Sequence, residues 1–156
     1  MDLLFGGKKC WSEIKFILTF LKLSLKMIVN GHEYIVYRTE VKIMPFIDSK
    51  VTKTVTPDKR ESIKSRLGQA IGIMGKSENY LMVGFEDQYE LYMGGQKLDQ
   101  GAFVSVRVLG QVDADASDRM TAEICKIYQE ELGIPGQNIY VAYFGTSNWG
   151  WNGSNF

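Results

Sequence analysis

One pattern occurs twice in this chain, and that repeat limits the fold more than any other feature. A strand-like run at Pro45–Val51 is followed by a helical pattern over Pro57–Met74 and a second apolar run at Asn79–Phe85. The pattern returns as a strand over Ala102–Leu109, a helix near Ser117–Leu132 and a strand over Asn138–Phe144. In the first helical stretch Ile63, Leu67, Ala70, Ile71 and Met74 recur at the spacing of one helix face. Thr56 offers an N-cap hydroxyl, Pro57 suits the first helical position, and Gly75 marks the stop. In the second, Met120, Ile124, Ile127 and Leu132 form the stripe and Gly133 ends it. Asp115, Ser117 and Asp118 crowd its start, where acidic and capping groups are favoured.

The strands read differently. Phe103, Val104, Val106, Val108 and Leu109 form a β-branched and aromatic run, as do Ile139, Tyr140, Val141, Tyr143 and Phe144. Tyr80-Leu81-Met82-Val83 is continuously apolar, the mark of a strand covered on both faces. Tyr89, Leu91 and Met93 alternate ahead of a Gly94-Gly95 turn signal. Right-handed crossovers place both helices on one face of a single sheet. The expectation is an α+β domain: two βαβ repeats forming a four-stranded mixed sheet with two helices on one face. Its other face keeps apolar side chains with nothing in the chain to cover them, which points to an oligomer.

Charge and cysteine content exclude several functions. Lysine plus arginine balances aspartate plus glutamate at 18 each, so no global charge draws the chain to nucleic acid. Cys10 and Cys125 form no CxxC, and His32 is the only histidine, so neither a zinc site nor a His-based triad is expected. No metal and no cofactor is expected.

Residues 1–44 differ in character and carry a net charge of +3, against −3 for the rest. The apolar stretch Phe16–Leu21 is followed by Lys22 and Lys26 and falls short of the ~20 clean residues of a membrane span. No small-x-small cleavage site follows it. Thr39-Glu40-Val41 can be encoded by a purine-rich run of the kind bacterial ribosomes pair with, spaced suitably ahead of the Met44 codon. The segment therefore reads as translated upstream sequence, as a cleaved leader, or as a genuine extension ahead of a domain at 45–156. The distinction matters chemically. With Met44 attached, Pro45 nitrogen is a tertiary amide; freed, it is a secondary amine.

Met44-Pro45-Phe46-Ile47, Gly75-Lys76, Tyr80-Leu81-Met82-Val83, the Tyr140 strand and the tail Asn148-Trp149-Gly150-Trp151-Asn152-Gly153-Ser154-Asn155-Phe156 together resemble the macrophage migration inhibitory factor family of the tautomerase superfamily. The match covers Pro45 to Phe156. The resemblance implies a homotrimer with sites at subunit interfaces, and keto–enol tautomerisation of aromatic 2-keto acids of the phenylpyruvate or dopachrome type. It assigns Pro45 as the base after loss of Met44. Lys76 would bind a substrate carboxylate or the developing enolate, and Tyr140 would donate to a substrate oxygen. Leu109, Tyr80, Trp149, Trp151 and Phe156 would form the walls. Taken alone, Lys76 reads as a cation at a helix end, Tyr140 and Trp151 as core or interface aromatics, and Pro45 as a strand-start proline. The family's pocket asparagine is Ala142 here, and Trp149 replaces a smaller residue. Gly101 and Val104 occupy the places of a Cys-x-x-Cys found in some members. The resemblance implies a cytoplasmic protein or one released without a signal peptide, with a small keto or enol acid as partner. It also allows a second role, a cytokine-like mimic that binds a host receptor while turnover is vestigial or blocked by the leader.

Overall fold

The computed structural model describes residues 24–29, 32–37 and 44–155, with side chains from 44 onward. The chain divides into two compact units, 1–41 and 42–156. In the first, strands β1 (Ser24–Val29) and β2 (His32–Tyr37) pair antiparallel, with Val29 opposite His32. No strand was expected there. The apolar run at 16–21 lies outside the described residues.

The second unit is built from the repeated βαβ pattern. Strand β3 (Pro45–Val51) leads to helix α1 (Pro57–Ala70) and strand β4 (Met82–Glu86). A two-strand hairpin, β5 (Tyr92–Met93) and β6 (Gln96–Lys97), separates the halves. Strand β7 (Ala102–Leu109), helix α2 (Ala114–Leu132) and strand β8 (Ile139–Thr146) form the second half. A final hairpin joins β9 (Gly150–Trp151) to β10 (Ser154–Asn155). The sheet order is β4-β3-β7-β8. The two βαβ pairs are parallel and the central pair, β3 with β7, is antiparallel. The four-stranded mixed sheet expected from the repeat is therefore present.

One face of that sheet makes the core. Ile47, Val51, Val104, Val106 and Val108 pack against Ile63, Leu67 and Ile71 of the first half and Met120, Ile124, Ile127 and Tyr128 of α2. Each such fully buried side chain stabilises the fold by roughly 1.5–3 kcal/mol. The core also contains one polar pair, the hydroxyls of Ser49 and Tyr128, which hydrogen-bond each other. Burial raises the pKa of the Tyr128 phenol, so it stays neutral, and the two hydroxyls satisfy each other inside the core.

The element ends differ from the sequence expectation in instructive ways. Thr56 is the N-cap residue, but its hydroxyl makes no capping bond; its carbonyl accepts from the Arg60 amide instead. The last turn before Gly75, Ile71–Met74, tightens to a 3-10 helix. The second helix starts earlier than expected, capped by Asp113, whose carboxylate accepts from the Ala116 amide at 2.8 Å. Residues Glu78–Tyr80 form a 3-10 turn, so β4 starts only at Met82. Met82 is 70% exposed, so β4 is open on one face in the single chain, against the expectation of two covered faces. Of the alternating Tyr89–Met93 run, only Tyr92–Met93 enters a strand. Gly94 and Gly95 turn that hairpin at φ +57° and +79°, a conformation glycine adopts without steric penalty.

The two helices are tied at the surface by Glu131. It accepts from Lys59 Nζ at 2.9 Å, Ser62 Oγ at 2.7 Å and Arg66 Nη1 at 3.3 Å. The Lys59 bond first, then Ser62, hold its carboxyl down to about 2. Because the folded value lies below the ordinary ~4.3, this stabilisation is complete above that pH and fades as pH falls toward 2. The group is partly solvated, so about 1 kcal/mol is expected after screening. Urea midpoints for Glu131→Gln should be lower at pH 7 and should show a shallower loss between pH 4.5 and 2.5 than the parent. An unchanged slope would mean the cluster contributes nothing.

The opposite sheet face leaves Met82, Tyr140 and Phe144 exposed around a buried Ser105. Strand alternation and register arrange it in transverse rows. Met82, Phe46, Arg107 and Phe144 form one row; Gly84, Asp48, Ser105 and Ala142 the next; Glu86, Lys50, Phe103 and Tyr140 the third. Among the described residues no helix is long and apolar enough to cross a membrane.

Candidate active site at one end of the sheet

Pro45 opens β3 and is buried opposite Val108 of β7. A proline has no N–H to offer a ladder, so the first position of a strand is where it is tolerated. Met44 precedes it and is also buried, at 6% exposure. Leu109, one residue past Val108, is buried at the same sheet end.

Lys76 arrives at that end from the other side of the fold. Gly75 closes the first helix in the left-handed region at φ +67°, which a side chain would disfavour. The chain then turns so that Lys76 Nζ donates to the Leu109 carbonyl at 3.2 Å. Burial lowers the Lys76 pKa, because desolvation disfavours the ammonium. Residues 45, 76 and 109, distant in sequence, thus meet at one sheet end. Tyr80 belongs to the same end, two residues before Met82, which pairs with Phe46. It is 36% exposed.

The tail leaves the sheet from this end as well. Thr146 ends β8 opposite Leu109, and its hydroxyl accepts from the Asn148 amide at 3.1 Å. Trp149 is half-buried and Trp151 is exposed in the β9–β10 hairpin. Asn152 and Gly153 turn that hairpin at φ +48° and +83°. The Asn-Gly pair between two short runs is a strong hairpin signal that the sequence reading passed over. Phe156 lies outside the described residues.

Tyr140 is elsewhere. It pairs with Phe103, which pairs with Lys50, five residues along β3 from Pro45. At ~3.4 Å per residue, the two rows are about 17 Å apart along the strands. Tyr140 is 60% exposed and lines a groove of about 380 Å³ with Lys50, Tyr89, Tyr92, Met93 and Phe103. Its hydroxyl does not meet Pro45 of its own chain. Ala142 faces the same way, beside Ser105.

Arg107 is a feature of this end that the sequence reading missed. Its guanidinium lies over the Phe46 ring, 5.6 Å from the centroid. A signal was available: Arg107 is the only charge within Ala102–Leu109, at an alternation position shared with Phe103 and Ser105. Among the described residues no cluster of histidine, cysteine, aspartate or glutamate is suited to hold a metal ion.

Chemically, this end combines a half-buried ammonium and the buried side chains of Met44 and Leu109 with a proline nitrogen at a strand start. A secondary amine at Pro45 would meet low polarity and a neighbouring cation, and both weaken its hold on a proton.

Comparison with known proteins gives a consistent result. The family model described as macrophage migration inhibitory factor matches residues 44–156. A macrophage migration inhibitory factor homolog of Trichuris trichiura is 30% identical over 96 residues, covering 60% of this chain and 83% of that protein. The crystal structure of Leishmania major MIF2 is 32% identical with a TM-score of 0.68, covering 72% of this chain and 97% of that one. The macrophage migration inhibitory factor of Toxoplasma gondii, at 21% identity and a TM-score of 0.66, covers 71% of this chain and 99% of that one and shares the fold.

Proposed function

Because this chain belongs to the macrophage migration inhibitory factor family, we propose that it is a keto–enol tautomerase of aromatic 2-keto acids, with Pro45 as the base once the peptide bond ahead of it is gone. The observation that carries this reading is the convergence of Pro45, Lys76 and Leu109 at one sheet end, with Lys76 Nζ held 3.2 Å from the Leu109 carbonyl.

The reaction asks little of the protein beyond placement. Pro45 nitrogen takes the proton on the carbon next to the ketone. The C–H electron pair becomes the enol double bond, and the carbonyl pair moves onto oxygen. That oxygen gains negative charge, so a donor placed for it lowers the barrier. Tyr140 is the donor in this reading, supplied by a neighbouring copy, since its own chain holds it about 17 Å from Pro45 along the strands. A homotrimer with the uncovered sheet faces turned inward provides that neighbour. Lys76 attracts the substrate carboxylate, and Leu109, Tyr80, Trp149, Trp151 and Phe156 wall the aromatic ring. The domain that does this is 45–156, and residues 1–44 mask its base while they remain attached.

The Lys76 role has a pH signature. Its ammonium pKa is lowered by burial, so charge is lost below the usual ~10.4 as pH rises. In a preparation that begins at Pro45, kcat/KM should rise with pH as Pro45 loses its proton and fall again as Lys76 does. In Lys76→Gln the alkaline fall should vanish and KM should rise about tenfold, the worth of roughly one charge-assisted bond. A mutant keeping the parent's alkaline limb would remove Lys76 from the site.

A further inference from the structure

The sheet face away from the helices carries four charged side chains, Asp48, Lys50, Glu86 and Arg107. Two of them are matched within the chain: Lys50 Nζ lies 3.6 Å from Glu86. The other two are not. The Arg107 guanidinium lies over Phe46, and among the described residues neither the Arg107 nor the Asp48 side chain has an ion pair or a hydrogen bond. They stand in adjacent rows, Arg107 opposite Phe46 and Asp48 opposite Ser105.

The same face exposes Met82, Phe144 and Tyr140, so covering it removes apolar surface from water. Covering it also desolvates both charges, and a buried charge without a partner is strongly unfavourable. One cation and one anion remain, and a second copy brings the same two. In a head-to-tail contact each copy offers its cation to one neighbour and its anion to the other, an arrangement that closes into a ring. We propose that Arg107 of one copy pairs with Asp48 of the next, and that this pair locks the assembly in which the active site is completed. The proposal rests on the composite-site reading above. It makes assembly, and with it catalysis, depend on two residues that touch no substrate. The cation over Phe46 is held beside Pro45, so the lock and the base share one strand end.

The test is a charge swap in the full chain, followed by sedimentation across a protein dilution series. Arg107→Asp alone and Asp48→Arg alone should each raise the concentration for half-dissociation about tenfold or more, a modest value for close interfacial charge pairs. The double swap should return it to within about threefold of the parent. Arg107→Gln and Asp48→Asn give a milder version, in which the double variant should associate no worse than either single one. Neither side chain faces the helices, and far-UV circular dichroism checks that each variant is folded. Singles that assemble like the parent overturn the pair. So does a double swap that stays dissociated while the parent assembles, and that result leaves the composite site standing. A parent that sediments as a single chain overturns both.

Discussion

A preparation whose first residue is Pro45 will interconvert the enol and ketone of phenylpyruvate at least about 100-fold faster than the chain carrying residues 1–44, the low end of what a positioned base contributes. The argument is electronic before it is structural. In the longer chain the Pro45 nitrogen shares its lone pair with the Met44 carbonyl, and an amide nitrogen does not take protons near neutral pH. Freed, it is a secondary amine whose reference value is about 8. Its surroundings then act on that value. Pro45 is buried at the start of β3, and the Lys76 ammonium is held beside Leu109 at the same sheet end. Burial and a nearby cation both disfavour the protonated amine, so the acid limb of the rate profile should fall below pH ~8. Loss of enol absorbance with time reads the rate, and intact mass establishes which N-terminus is present. Equal rates for the two forms, with residues 1–44 verified in the longer one, would take the base away from Pro45.

Much of this fold is legible in the sequence because the duplicated pattern is strong. The limits of β3 and β7 can be read from alternation, and the helix stripes at Ile63, Leu67 and Ile71 and at Met120, Ile124 and Ile127 are all buried. Helix starts were less legible. Several short polar residues precede α2, and which of them caps is decided by backbone angles. Asp113 is extended at φ −87° and ψ 133° and takes the role, while Asp115 and Ser117 lie inside the helix. The Thr56 hydroxyl looked like a cap in sequence and is not one. Residues 78–80 are Glu-Asn-Tyr, of which only Tyr80 has strand character, and Ser77 accepts from the Asn79 amide and favours a turn.

The site was legible only by resemblance. Nothing in spacing links Pro45, Lys76 and Leu109. They meet because Gly75 turns the chain and the antiparallel pairing of β3 with β7 sets Leu109 one step beyond Pro45's partner. Arg107 and Asp48 were only partly legible for a related reason: alternation places Arg107 with Phe103 and Ser105 but does not say which face that is. A charge on a strand usually faces water, and only the two-dimensional register shows them sharing a face with Phe46, Met82 and Phe144.

Tyr140 carries the sharpest consequence of that register. If it serves the Pro45 of a neighbouring copy, Tyr140→Phe in a chain beginning at Pro45 will lower kcat about 100-fold, the usual cost of losing one donor to a developing oxyanion. The ring is 60% exposed in the single chain, so the fold should not suffer. The decisive form of the experiment mixes two inactive chains. One keeps residues 1–44 and Tyr140, so its base is masked. The other begins at Pro45 and carries Tyr140→Phe, so its donor is missing. Refolded together in equal amounts, they should form mixed assemblies in which about a quarter of the sites combine a free Pro45 with an intact neighbouring Tyr140. Activity should then return to a corresponding fraction of the fully competent protein, and only after mixing. A within-chain site has no means of producing that recovery, because neither chain contains both groups in working form. Mixed assemblies shown by mass to contain both chains, yet still inactive, would confine Tyr140 to its own groove with Lys50 and Phe103 and leave the enolate oxygen to a different donor.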